Sequence, residues 1–211
     1  MARNIGYLTS KKTPESDNCF TPEFVVHNIA KYVPKETFGC KLMIFKDTPE
    51  LGDYKAITKK TKILCPFDKD EHAFPKVFNE LGFDVINTHF DPETGEGKDF
   101  FSYTKEDMCQ LGIDYIISNP PFSLKNEILK HCYCLDIPYA LLLPLPTLQS
   151  IGRFNDVFSK GDTQVLIFDK RIPYSTREKR WEEIGMTNHF ASIFICRGVL
   201  PKDLIFNELV I

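Results

Sequence analysis

Residues 114–123 read DYIISNPPFS, and within them Asn119, Pro120, Pro121 and Phe122 could do chemistry on a planar amine. Proline has no N–H to continue a ladder, fixes its own φ and holds the residue before it extended. Asn119 is thereby locked, its side-chain carbonyl and nearby backbone carbonyls form a preset group of acceptors, and Phe122 offers a flat apolar face. An amino group on an aromatic ring is a poor nucleophile because its lone pair is delocalised. Acceptors that take both of its hydrogens favour a pyramidal nitrogen and aim the lone pair outward, while the aromatic side chain stacks on the ring. Such a corner activates an amine without a general base, and an electrophilic methyl group held in line would then transfer by positioning and charge stabilisation. Asn-Pro also opens ordinary turns after strands. Chance composition, however, puts these four residues together in a chain this long roughly once in a thousand.

The flanking sequence says what would position the corner. From Thr61 onward short apolar runs alternate with helical patterns: TKILC, FDVINTHF, DYIIS, YALLLPL, TQVLIFD and FASIFICRG read as strands, and DEHAFPKVFNELG, TKEDMCQLG and SLKNEILKHCYCL as helices. Such alternation predicts a doubly wound α/β sheet, whose ligands sit beyond the carboxyl ends of the strands. Upstream, TPEFVVHNIAKYV reads as a helix with Thr21 as N-cap and Pro22 in the first turn, and KLMIF (41–45) is a further candidate strand. The chain reads as one domain over 1–211, with a flexible arm at 1–17 and a polar loop at 170–189 that could recognise a substrate.

Bulk properties narrow the classes. A formal charge of −3 gives no overall attraction to a polyanion, so nucleic-acid binding would rest on local patches. Lys59, Lys60 and Lys62 form one candidate; Lys170, Arg171, Arg177, Lys179 and Arg180 form the other, and each could equally be a solvated face. Seven scattered cysteines and no charged-then-apolar opening suggest a reduced, cytoplasmic setting. No metal is expected, since Cys132 and Cys134 lack the second ligand pair of a zinc site. No membrane span is expected either, because YALLLPL is far shorter than the ~18 residues one needs.

The NPPF corner resembles the catalytic motif of S-adenosylmethionine-dependent amino-methyltransferases, and the chain from Asn18 onward is similar to phage-type DNA adenine-N6 methyltransferases. CPFDKDE, GKDFF, ALLLPLPTLQS, FDKRI and RGVLPKDLIF extend the likeness over most of the sequence. The resemblance implies a Rossmann-like methyltransferase sheet of about seven strands with helices on both faces, S-adenosylmethionine as methyl donor, DNA as partner and a target base turned out of its helix. It implies a bacterial cytoplasm if the gene is carried by a phage.

Residue by residue, the resemblance makes Asn119 an acceptor for the amine, Pro120 a source of a backbone carbonyl and Phe122 a stacking face, with Pro121 completing the motif. Phe20, Thr21 and Pro22 match the family's N-terminal donor motif, where a helix start could present N–H groups to a carboxylate. The loop after the first strand departs from the family: it reads Pro66, Phe67, Asp68 with no glycine before Gly82, and Asp68 either faces the donor's ammonium group or caps the next helix. Asp91 near the end of the second strand would hold ribose hydroxyls or start the turn DPETG. Asp99 and Phe100 match the pair that contacts the donor's adenine, against a helix-start Asp and a core Phe. Arg171 and Tyr174 lie in the late motif that lines the target-base pocket, Arg171 for a phosphate or core carboxylate and Tyr174 for stacking.

Two other readings compete. The acceptor could be RNA or a protein glutamine, although such relatives more often carry Tyr at the Phe122 position and keep the glycine turn. Alternatively the chain could be a methyltransferase-like protein without catalysis, acting as a binding module or inhibitor. Oligomeric state and DNA site do not follow from the sequence.

Overall fold

A computed structural model describes residues 20–38, 58–91, 94–175, 180–184 and 190–211. The expected arm at 1–17 and the candidate strand at 41–45 lie outside them. The strands are β1 (Glu36–Phe38), β2 (Thr58–Lys60), β3 (Lys62–Cys65), β4 (Asp84–Asn87), β5 (Tyr115–Ser118), β6 (Tyr139–Pro144), β7 (Gln164–Phe168), β8 (Ser192–Arg197) and β9 (Leu204–Asn207). The helices are α1 (Glu23–Ala30), α2 (Ala73–Glu80), α3 (Lys105–Leu111), α4 (Lys125–Leu135), α5 (Ile151–Asp156) and α6 (Trp181–Ile184). β1 and β2 form a small antiparallel pair. The other seven strands make one sheet in the order β4-β3-β5-β6-β8-β7-β9.

β4, β3, β5 and β6 run parallel, and β8 runs against both β6 and β7. The doubly wound α/β sheet is therefore mixed. Direction reverses at β3: the chain moves outward to β4, then returns past β3 to β5 and β6. Right-handed crossovers in opposite directions place their helices on opposite faces. The packing agrees, with α1 against α2 in one group and α3, α4 and α5 in succession in the other.

The central strands β6 (YALLLP) and β8 (SIFICR) bury five of their six residues, as strands covered on both faces must. The edge strands β4 and β9 alternate or stay half-exposed. Local chemistry sets the ends. Thr104 and Asp107 cap α3 reciprocally, and Gly112 closes it at φ 66°. Thr21 does not cap α1: extended Pro22 occupies that position and no side-chain cap bond forms. α2 starts at Ala73, three residues into the predicted segment. β9 was not among the predicted strands.

Candidate active site

The carboxyl ends of β3 and β5 meet where strand order reverses, the position at which open α/β sheets bind ligands. From β3 the chain turns through Pro66 and Phe67 to Asp68, with the Asp68 N–H donating to the Cys65 carbonyl (3.4 Å). Asp68 is only 4% exposed. Its carboxylate accepts a short hydrogen bond from the Ser118 hydroxyl at the end of β5. The two strand ends are thus tied side chain to side chain. His72 Nδ1 lies 3.4 Å from the other Asp68 oxygen and 3.2 Å from the Lys69 N–H, so its tautomer decides which of the two it serves. Burial raises the Asp68 pKa, and the hydrogen bonds from His72 and Ser118 pull it back in part. Asp68 is neither a solvated residue nor the cap of α2, whose N-cap is His72.

Asn119 follows Ser118 directly and is half-buried, with its side-chain oxygen enclosed. Pro120 is buried, and Pro121 leads into a tight turn, its carbonyl accepting from the Leu124 N–H (3.1 Å). The Phe122 carbonyl accepts from Lys125 Nζ (3.0 Å). The Phe122 ring, 9% exposed, meets Tyr174 and Phe190 edge-on at centroid distances of 6.4 and 5.7 Å, and Tyr174 stacks on Phe190 at 5.6 Å with 24° between planes. The apolar face expected beside Asn119 is therefore an aromatic cluster that closes on itself. Tyr174 is 2% exposed, while Arg171 is exposed on the same segment.

The N-terminal motif reaches this cluster through the backbone. Phe20 and Ser175 exchange two hydrogen bonds of 2.9 Å, placing the start of α1 beside the residue after Tyr174. The Phe20 ring stands edge-on to His72 at 5.5 Å, and His72 to His89 at 6.4 Å. The Thr21 hydroxyl is enclosed without a hydrogen-bond partner among the described residues, and Pro22 is buried.

The remaining candidates sit across the crevice mouth. Asp91 begins a turn, its side chain accepting from the Thr94 N–H (3.4 Å) and its carbonyl from the Gly95 N–H (2.8 Å). Asp99 accepts from the Phe101 N–H (3.0 Å) and caps a short turn. Phe100 is 3% exposed and touches Phe67 and His131 edge-on, each at 5.0 Å. Burial lowers the His131 pKa. Gly97 closes this rim: a Cβ there would stand 1.9 Å from the His89 carbonyl oxygen, and its φ is 87°.

The structure thus links Phe20, Asp68, Asn119, Phe122 and Tyr174 at the carboxyl ends of β3 and β5, with Thr21 next to Phe20, Phe100 against Phe67, and Asp91 and Asp99 in the turns between β4 and α3. The lysine patch lies elsewhere, at the amino ends of the strands, where Lys59 pairs with Asp114 (2.6 Å) and Lys62 with Asp84 (3.0 Å). Residues 176–179 and 185–189 of the expected recognition loop lie outside the described residues. Trp181 packs edge-on against Phe24 of α1 at 5.1 Å, which makes it an anchor between loop and helix.

Solved structures resemble the chain to different degrees. A protein described as the modification subunit of a type I restriction enzyme from Vibrio vulnificus superposes with a TM-score of 0.50 at 13% identity, over 93% of this chain and 48% of that one. A protein described as a class I S-adenosylmethionine-dependent methyltransferase from Listeria monocytogenes gives 0.46 at 13% identity, over 97% and 69%. A DNMT2 variant from Spodoptera frugiperda gives 0.35 at 12%, over 71% and 47%. The chain spans about half the length of the first. No protein-family model and no curated protein matches the sequence. At these identities the likeness shows the α/β sheet architecture.

Three residues of the site escaped the sequence reading. Ser118 looks like an ordinary strand residue until β3 is placed beside β5. His72 sits inside a predicted helix but lies one residue before it. Phe190 opens the predicted strand FASIFICRG, yet β8 starts at Ser192, which leaves Phe190 to turn toward Tyr174.

Proposed function

We propose that the chain transfers a methyl group from S-adenosylmethionine to the N6 amine of adenine in DNA, on a base turned out of its duplex. The observation that carries this reading is the Ser118–Asp68 link, which joins the loop after β3 to the residue just before Asn119. A donor pocket at β3 and an amine-holding corner at β5 then share one wall.

The residues fit the donor. A buried carboxylate, Asp68, suits an ammonium group, the enclosed and unpartnered Thr21 hydroxyl at the start of α1 suits a carboxylate, and the Phe67–Phe100 pair suits an adenine ring. Bound there, S-adenosylmethionine would supply an electrophilic methyl group on a sulfonium. The chain's part is to hold and orient. Asn119, with the Pro120 carbonyl, accepts the two amine hydrogens, and Phe122 stacks on the base. A base that stacks on Phe122 takes the space of Phe190, whose ring now stands edge-on to it. Asn119 and the Pro120 carbonyl would hold the N6 lone pair in line with that methyl group, and the proton the amine gives up on transfer would pass to solvent. DNA is the acceptor to test first, also because a restriction enzyme's modification subunit shares the fold.

Incubation with labelled S-adenosylmethionine and, separately, unmethylated DNA, RNA and protein extract decides among acceptors. Label recovered as N6-methyladenine from DNA, and lost in Asn119→Ala, supports the reading. Label in RNA or protein alone replaces the acceptor, and absence of both label and calorimetric donor binding leaves a non-catalytic protein.

A further inference from the structure

Strand β9 ends the seven-stranded sheet, with β7 on one side and no described strand on the other. Its side chains alternate: Leu204 and Phe206 are 51% and 73% exposed, and Ile205 and Asn207 are half-buried. The Asp203 and Asn207 carbonyls accept from the Val165 and Asp169 N–H groups. Backbone direction alternates along a strand, so Leu204 and Phe206 turn their N–H and C=O groups to the outer edge. Edge strands are protected by shortness, flanking charge, proline or a bulge; β9 is short and flanked by charges, but Leu204–Asn207 itself holds no proline and no charge.

We propose that this edge joins two copies of the chain, β9 pairing antiparallel with β9 of the second copy about a two-fold axis at Ile205. The segment Lys202–Glu208 (KDLIFNE) is self-complementary about that residue. Leu204 falls opposite Phe206 of the second copy, Asp203 opposite Asn207, and Lys202 opposite Glu208, each contact occurring twice, as an isologous interface requires. Leu204 and Phe206, with their outward backbone groups, occupy the hydrogen-bonded pair positions of an antiparallel ladder. Sliding the register by two residues puts Lys202 opposite Phe206 in one direction and Leu204 opposite Glu208 in the other, setting charge against apolar surface. Lys202 and Glu208 are both exposed and available. The product is one continuous sheet running through both copies, with each candidate active site left open at its own strand ends.

A strand pairing this short belongs with the weak interfaces below ~1,200 Å², so the test is sedimentation equilibrium of the full chain up to high micromolar concentration. The wild-type protein shows a reversible monomer–dimer equilibrium. Phe206→Asp weakens it by about 100-fold or more, because two carboxylates enter the apolar centre. Lys202→Glu and Glu208→Lys each weaken it by about tenfold, and the double variant returns to near wild type since the two charges have traded places. Thermal melting of each variant checks that the monomer is folded. A wild-type protein that stays monomeric overturns the proposal, as does a dimer that Phe206→Asp leaves intact. Failure of the double charge swap to restore association overturns the register.

Discussion

The two ends of the central sheet are built on opposite terms. At the amino ends charges come in matched sets: Lys59 with Asp114, Lys62 with Asp84, and Arg197 with Asp162 (2.6 Å) and Asp136 (2.9 Å), while Lys105 also reaches Asp136 (3.3 Å). The Arg197 guanidinium lies over the Tyr133 ring at 4.6 Å. This set holds Asp136 at φ 60°, an uncommon conformation for a residue other than glycine, at the end of α4. At the carboxyl ends the buried Asp68 has no lysine or arginine among the described residues, and the Thr21 hydroxyl is enclosed with nothing to bond. Buried polar groups without full compensation cost stability. Both ends enclose hydroxyls without a partner among the described residues, Tyr139 and Thr163 at the amino ends and Thr21 at the carboxyl ends, but only the amino ends balance their carboxylates with lysine and arginine.

Substitutions should separate the two ends. The largest effect is expected for Asn119→Ala, which removes the proposed amine acceptor. Methyl transfer should fall by about 10²–10³-fold, as for loss of a single transition-state hydrogen-bonding group, with the melting temperature nearly unchanged. A comparable loss of stability in that variant would move the residue from the chemical end of the comparison to the structural one. Gly97→Ala comes next. Its Cβ cannot coexist with the His89 carbonyl, so denaturant titration should show a loss of about 1–3 kcal/mol, accompanied by weaker donor binding in calorimetry because the rim at His89 shifts.

Arg197→Met should lower stability by on the order of 1 kcal/mol through the lost charge-assisted hydrogen bonds, yet leave donor affinity where it was. A change in donor affinity would mean that the two ends communicate. The smallest effect concerns pH. Burial raises the Asp68 pKa, so the folded state holds that proton more tightly than the unfolded chain. Stability contributed by the protonated form is present at low pH and is lost as pH rises from the ordinary carboxyl value, about 4, through the raised one. Asp68→Asn should lack this decline. The difference between the two stability–pH curves isolates the group, and a flat difference would show that Asp68 titrates alike in both states.

Much of this was legible beforehand, for physical reasons that differ by element. β3, β5, β6 and β8 announce themselves as apolar runs because both of their faces are buried, and α3 because its cap and closing glycine are local. The corner at Asn119 was legible because proline acts on its immediate neighbour. β9 was not: four residues behind a proline and two charges become a strand only through register with β7, which no local pattern encodes. Thr21 reads as a helix cap, but the extended backbone of Pro22 (ψ 147°) takes that place and leaves the hydroxyl enclosed. Asp68 could be read as solvated or ligand-facing from sequence, since its burial depends on a hydroxyl fifty positions along the chain.

The paired hydrogen bonds between Phe20 and Ser175 act as a clasp. Any displacement of the segment bearing Tyr174 pulls on the entry to α1. Under the proposed function, altering residues 171–175 to widen acceptor choice would therefore shift affinity for the donor as well, and libraries built to change one preference should be screened for both.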